Sequence, residues 1–133
     1  MKEARLQTLA RVPMLGALSR RHLRRVLART SEHDYREGAT VVRQGTRGET
    51  VFVLLEGNAR VVRGGRTVAR LSPGDFFGEI AVLDRRPRTA DVVAASPVKC
   101  LVLHRDDLRD ILAAEPEAAW ALLEALGGRL RGD

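Results

Sequence analysis

A β-sandwich or barrel with helices at both ends is the fold class this sequence predicts. Three observations predict it. Six short β-rich runs crowd the middle of the chain, turn residues separate them, and helical periodicity precedes and follows them. With 133 residues, the chain is expected to be one domain spanning 1–133. Its helices fall at about 1–30, its β-rich part at about 34–104 and its second helical part at about 106–131.

At the N-terminus Leu6, Leu9 and Val12 share one helical face until Pro13 breaks the run. Ser19 is placed to cap a helix over 20–29, with Leu23, Val26 and Leu27 as its apolar face. The period then changes. Strand-like runs fall at Thr40–Arg43, Val51–Leu55, Ala59–Arg63, Thr67–Leu71, Asp91–Ala94 and Lys99–Leu103. Gly64-Gly65 between Arg63 and Arg66 reads as a hairpin turn. Asp106 reads as the cap of a helix over Asp107–Ala114, and Glu115-Pro116 interrupts it. A last helix is expected from about Glu117 to Leu126. Its extension to Arg131 is weakened by Gly127-Gly128, each glycine costing about 1 kcal/mol relative to alanine. Cys100 reads as a small buried residue, His104 as a capping or surface residue, and Trp120 of the last helix as a core-packing residue ahead of a lid docked on the barrel.

Composition narrows the function classes. No apolar run approaches the roughly 20 residues of a membrane span, Met1-Lys2-Glu3-Ala4-Arg5 has no adjacent apolar run, so secretion is not expected, and a single cysteine fits a reducing, cytoplasmic setting. The net charge is +6, and all but Lys2 and Lys99 of the 23 basic residues are arginine. A basic balance permits nucleic acid as a partner. The Arg20-Arg21-His22-Leu23-Arg24-Arg25 cluster, however, has no aromatic stacking residues or recognition helix beside it. It reads as a solvated helix face.

The chemistry concentrates between Gly74 and Ala90. Gly74 and Gly78 let the backbone turn and approach a ligand. Glu79 to Leu83 has the length of one helical turn, whose free N–H groups would favour a phosphate. Arg88 adds a guanidinium fork that matches phosphate oxygens. Glu79 would repel a phosphate and can only accept hydrogen bonds, which suits a sugar hydroxyl. The residues together point to a small anion that also bears a hydroxyl.

The run Phe77-Gly78-Glu79-Ile80-Ala81, followed by Pro87-Arg88-Thr89-Ala90, closely resembles the phosphate-binding cassette of the cyclic nucleotide-binding domain family. Tyr35-Arg36-Glu37-Gly38, Val42-Arg43-Gln44-Gly45 and the stretch from Val51 to Val61 resemble that family's turns and central hairpin. The resemblance covers essentially the whole chain. It implies an eight-stranded β-jelly-roll (a double-stranded β-helix) between N-terminal and C-terminal helices. It also implies a non-catalytic sensor of cAMP, with cGMP behind it. The implied ligand-binding residues are Phe77, Gly78, Glu79, Ile80, Ala81, Arg88, Thr89 and Ala90, with Val61 and Leu71 on the facing strands. In that site Arg88 would clamp the cyclic phosphate and Glu79 would accept the ribose 2′-OH. The backbones of Gly78, Ala81 and Thr89 would complete the contacts, while Phe77, Val61, Val62 and Leu71 would line the pocket or fill the core. The family mechanism is a shift of the C-terminal helices, for which Glu115-Pro116 and Gly127-Gly128 are the expected hinge and fraying points.

No cofactor or metal is expected. A metal enzyme on a similar barrel would need clustered ligands, and the three histidines, His22, His33 and His104, form no H-x-H. An iron–sulfur sensor would need several cysteines. A sensor of another effector on the same fold, haem or an organic anion, is the alternative, and haem would leave Glu79 and Arg88 without a purpose. No DNA-binding domain or membrane segment is expected before Asp133. An output protein or domain would then act in trans or belong to a larger regulator, channel or enzyme.

Overall fold

A computed structural model describes residues 2–78 and 83–131. The chain divides into two compact units: the strands from Thr30 to Arg105, and the helices on either side of them in sequence.

Eight strands are described: β1 (Ser31–Tyr35), β2 (Thr40–Val42), β3 (Thr50–Glu56), β4 (Ala59–Arg63), β5 (Arg66–Leu71), β6 (Phe76–Phe77), β7 (Asp91–Ala94) and β8 (Val98–His104). They form two four-stranded sheets with orders β1-β8-β3-β6 and β2-β7-β4-β5, and every pairing is antiparallel. All six runs read from the sequence are strands, and no end moves by more than one residue. The other two strands lack a readable pattern. β1 is exposed at four of its five positions and pairs only with β8, so no apolar alternation marks it. It also begins the strand unit at Ser31, ahead of the boundary near 34 expected from the sequence. β6 is only two residues long.

The core of the roll lies between the sheets. Phe52, Leu54, Phe77, Val98 and Cys100 come from one sheet, and Val42, Ala59, Val92 and Ala94 from the other. Alternation along β3 puts Phe52 and Leu54 on this inner face. Val51 and Val53, on the other face, are buried as well, so β3 reads as a nearly continuous apolar run. Burying a side chain such as Leu54 stabilises the fold by about 1.5–3 kcal/mol. The β4–β5 hairpin turns through Gly64 (φ +59°) and Gly65 (φ +77°), the two positive φ angles a type I′ turn requires.

The helical unit contains α1 (Lys2–Ala10), α2 (Arg20–Ala28), α3 (Arg105–Ala114) and α4 (Pro116–Arg131). The Ser19 side chain accepts from the His22 N–H, as expected of the α2 cap. Arg20 pairs with Glu3 of α1, and this bond, the largest influence, holds the Glu3 carboxyl below its ordinary range. Arg29 bridges Asp107 and Asp110 of α3 at 3.1 and 3.3 Å, and His22 Nε2 lies 3.0 Å from Glu115 Oε1.

Two expectations about the helices are corrected, those for Asp106 and Trp120, and the last helix takes the longer of its two expected extents. Asp106 does not cap α3: the helix follows β8 directly from Arg105, whose N–H donates to Glu49 O at 2.7 Å, and Asp106 and Asp107 lie in its first turn. There they complement the helix dipole. The last helix begins at Pro116, suited to a first helical position because it lacks an N–H, and runs through Gly127-Gly128 to Arg131. Trp120 is 63% exposed and so is not a core residue. Among the described residues, no helix is long and apolar enough to cross a membrane.

Candidate functional site

Arg88 is the single buried charged residue among those described, with 8% of its surface exposed. Its guanidinium is held as a fork. Nη1 donates to Gly78 O at 2.8 Å and Nη2 donates to Thr50 O at 3.0 Å. Cζ lies 5.8 Å from the centroid of the Phe52 ring, within reach of a cation–π attraction. Phe52 in turn stacks on Phe77, with centroids 5.0 Å apart and planes 5° from parallel. The cation thus rests on a two-ring layer supplied by β3 and β6.

The backbone of Arg88 is fixed as firmly as its side chain. Its N–H donates to Thr46 O at 2.8 Å, and its carbonyl accepts from the Gly45 N–H at 2.9 Å. Three residues on, Asp91 Oδ1 accepts from the Gln44 N–H at 2.6 Å. The Gln44-Gly45-Thr46 turn therefore grips the 88–91 segment at three points. This gives the turn after β2 a physical reason to accompany the cassette: it sets where the arginine stands.

The approach to the cassette is pinned to β3. Gly74 N–H donates to Leu54 O, and Leu54 N–H donates to Asp75 O, each at 2.9 Å. Asp75 Oδ2 also accepts from the Ser72 N–H at 2.8 Å. Gly78 has φ +86°, and a side chain there would press on Arg88 Nη1 at 2.7 Å, so glycine is required on two counts. Beyond the segment, Leu83 and Asp84 are helical, Arg85 takes φ +58°, and Asp84 Oδ1 accepts from the Arg86 N–H at 2.9 Å.

The expected site residues divide as follows. Arg88 is buried and Ala90 beside it is also buried, while Thr89 between them is exposed and its carbonyl accepts from Arg63 Nε at 3.3 Å. Phe77 is buried in the core on Phe52. Val61 and Leu71 are half-buried and pack against the same core, and Val62 is half-buried on β4. Gly78 meets Arg88 directly. Glu79, Ile80 and Ala81, with the helical turn expected to start at Glu79, lie outside the described residues. Three participants were not legible as such: the Thr50 carbonyl, the Phe52 ring and Gly48. Thr50 acts through its backbone, which no side-chain pattern reports. Phe52 reads as an ordinary core position on an apolar strand. Gly48 is one of several glycines between the strand-like runs of the sequence, and a Cβ there would overlap the Arg88 guanidinium.

Chemically, a buried and geometrically fixed guanidinium fork matches the paired oxygens of a carboxylate or phosphate.

Residues 32–115 match the sequence model of the cyclic nucleotide-binding domain. The chain is 35% identical over 109 residues to isozyme 1 of the cGMP-dependent protein kinase of Drosophila melanogaster, covering 76% of this chain and 14% of the kinase. Among solved structures it resembles the catabolite activator protein of Thermus thermophilus, with TM-score 0.84 and 31% identity over 90% of this chain and 59% of that one. It also resembles the regulatory domain of Toxoplasma gondii PKA crystallised with cAMP, with TM-score 0.76 and 28% identity over 83% of this chain and 44% of that one. The chain spans less than a third of the length of the curated relatives it matches.

Proposed function

The chain belongs to the cyclic nucleotide-binding domain family, and from that premise we propose that it is a non-catalytic sensor of cAMP, with cGMP as the weaker ligand. Arg88 holds the exocyclic oxygens of the cyclic phosphate, Glu79 accepts the ribose 2′-OH, and backbone groups of Gly78, Ala81 and Thr89 complete the cradle. Ile80 and Ala90 flank these contacts, and Val61, Leu71 and Phe77 form or back the apolar wall. Occupancy then shifts the placement of the C-terminal helices. Such a shift is limited by the difference in ligand affinity between the two placements.

The observation that carries this reading is the burial of the Arg88 guanidinium at the cassette, on two carbonyl oxygens and an aromatic ring. Carbonyls are neutral acceptors. A phosphate offers the same fork a full negative charge and a stronger, charge-assisted bond. The choice of cAMP draws on the Toxoplasma PKA domain crystallised with it, and the cGMP-dependent kinase keeps cGMP as the second candidate. The output is a partner protein, or a further domain of a longer chain.

Titration calorimetry with cAMP and with cGMP tests the proposal. Saturable binding to the wild type, tighter for cAMP and abolished or weakened at least about 100-fold in a folded Arg88→Ala variant, is the expected outcome. A folded wild-type protein that binds neither nucleotide would refute it.

A further inference from the structure

Gly45 and Gly48 stand in one loop and are glycine for different reasons. Gly45 has φ +84°, and a Cβ there would meet nothing within 4 Å. Its requirement is backbone conformation. Gly48 lies outside the left-handed region, so no positive φ demands glycine there. Its requirement is space: a Cβ would overlap Cζ and Nε of Arg88 and stand 2.6 Å from Nη2. Two residues later the Thr50 carbonyl takes the Nη2 hydrogen bond.

We infer that Gly48 is a positioning residue for the anion-binding arginine. Its missing side chain is the slot that admits the Arg88 guanidinium to the Thr50 and Gly78 carbonyls. The obstructed atoms are the far end of a long side chain, so a methyl group at 48 turns the guanidinium out and leaves the strands in place. Gly48→Ala therefore forfeits the same two hydrogen bonds as Arg88→Ala, and the two losses overlap rather than add. The consequence for ligand rests on the reading of Arg88 as the phosphate clamp. A mispositioned fork should weaken cAMP binding by about 10- to 100-fold, the range of one charge-assisted hydrogen bond.

The test uses the full chain as wild type, Gly48→Ala, Arg88→Ala and the double variant. The Arg88 Nε–Hε resonance, assigned by its loss in Arg88→Ala, is expected to shift in Gly48→Ala and to exchange faster with water. Thermal unfolding should show a cost for Gly48→Ala when Arg88 is intact and none when Arg88→Ala is already in place. In calorimetry the double variant should bind cAMP no more weakly than Arg88→Ala alone. An unmoved Arg88 resonance in Gly48→Ala, or an equal stability cost in both backgrounds, would overturn the inference. The resonance and unfolding measurements need no ligand. A wild type that fails to bind cAMP would defeat the sensor reading and leave these two measurements to decide the role of Gly48.

Discussion

At the scale of single residues, Arg88 shows how much a side chain can depend on groups that carry no side-chain signal. Its fork ends on two backbone carbonyls, and its own backbone is held by two more groups of the Gly45–Thr46 turn. Arg88→Lys keeps the charge but replaces a planar fork with a point donor on a shorter reach. Calorimetry should find its cAMP affinity lowered about tenfold or more, with Tm reduced less than in Arg88→Ala. Cys100 offers an independent check on the core. Burial, with a smaller contribution from the Asp34 carboxylate, pushes its thiol up to about 12. In the folded protein it should resist Ellman's reagent at pH 8 and react once urea exposes it. The sign of its pH effect follows. Above the ordinary thiol value of 9.0 the unfolded chain loses this proton while the folded chain keeps it up to about 12, so stability falls as pH rises through that window. Denaturant melts at pH 8 and pH 10.5 should show the loss, and Cys100→Ser should lessen it.

At the scale of elements, the legible strands were those whose environment matched their chemistry. β2, β3, β4, β7 and β8 bury apolar side chains and could be read as apolar runs, whereas β5, exposed at five of its six positions, was legible from the Gly64-Gly65 turn that pairs it with β4. β1 holds Glu32, His33 and Asp34 in mostly exposed positions, and its strand geometry comes from β8 alone. Tertiary pairing overrode local propensity there. The cassette was legible for the same reason that the helix ends were less so. Gly78 and Arg88 answer a local geometric demand, whereas the end of α4 does not. Gly127 and Gly128 cost about 1 kcal/mol each in a helix, and α4 nevertheless runs through them. A Cβ at Gly127 would meet nothing within 4 Å. Gly127→Ala is thus expected to stabilise the chain by about 1 kcal/mol, measurable as a higher Tm. Ser19→Ala should do the reverse by a similar amount, about 1 kcal/mol, through loss of the α2 cap. If either change left Tm unmoved, the account of that helix end would be wrong.

At the scale of the whole molecule, two sheets close over an apolar core and, among the described residues, present one buried cation where the cassette meets β3. The fold class and the prominence of Arg88 were legible in the sequence because both leave local signatures. What supports the arginine was not, because Gly48, Thr50 and Phe52 are brought to it by the path of the chain rather than by proximity to Arg88 in sequence. The net charge of +6 adds a long-range attraction for anions that salt screens, so association with a cyclic nucleotide should slow as ionic strength rises in stopped-flow measurements. The most direct measurement of the central claim follows the phosphorus itself. The ³¹P resonance of cAMP, recorded with the folded wild-type protein in excess, should move from its free position and broaden, and should return to the free position with Arg88→Ala. A resonance that stays at its free position with the wild type, or one that Arg88→Ala leaves equally displaced, would contradict the assignment of this site as a cyclic phosphate clamp.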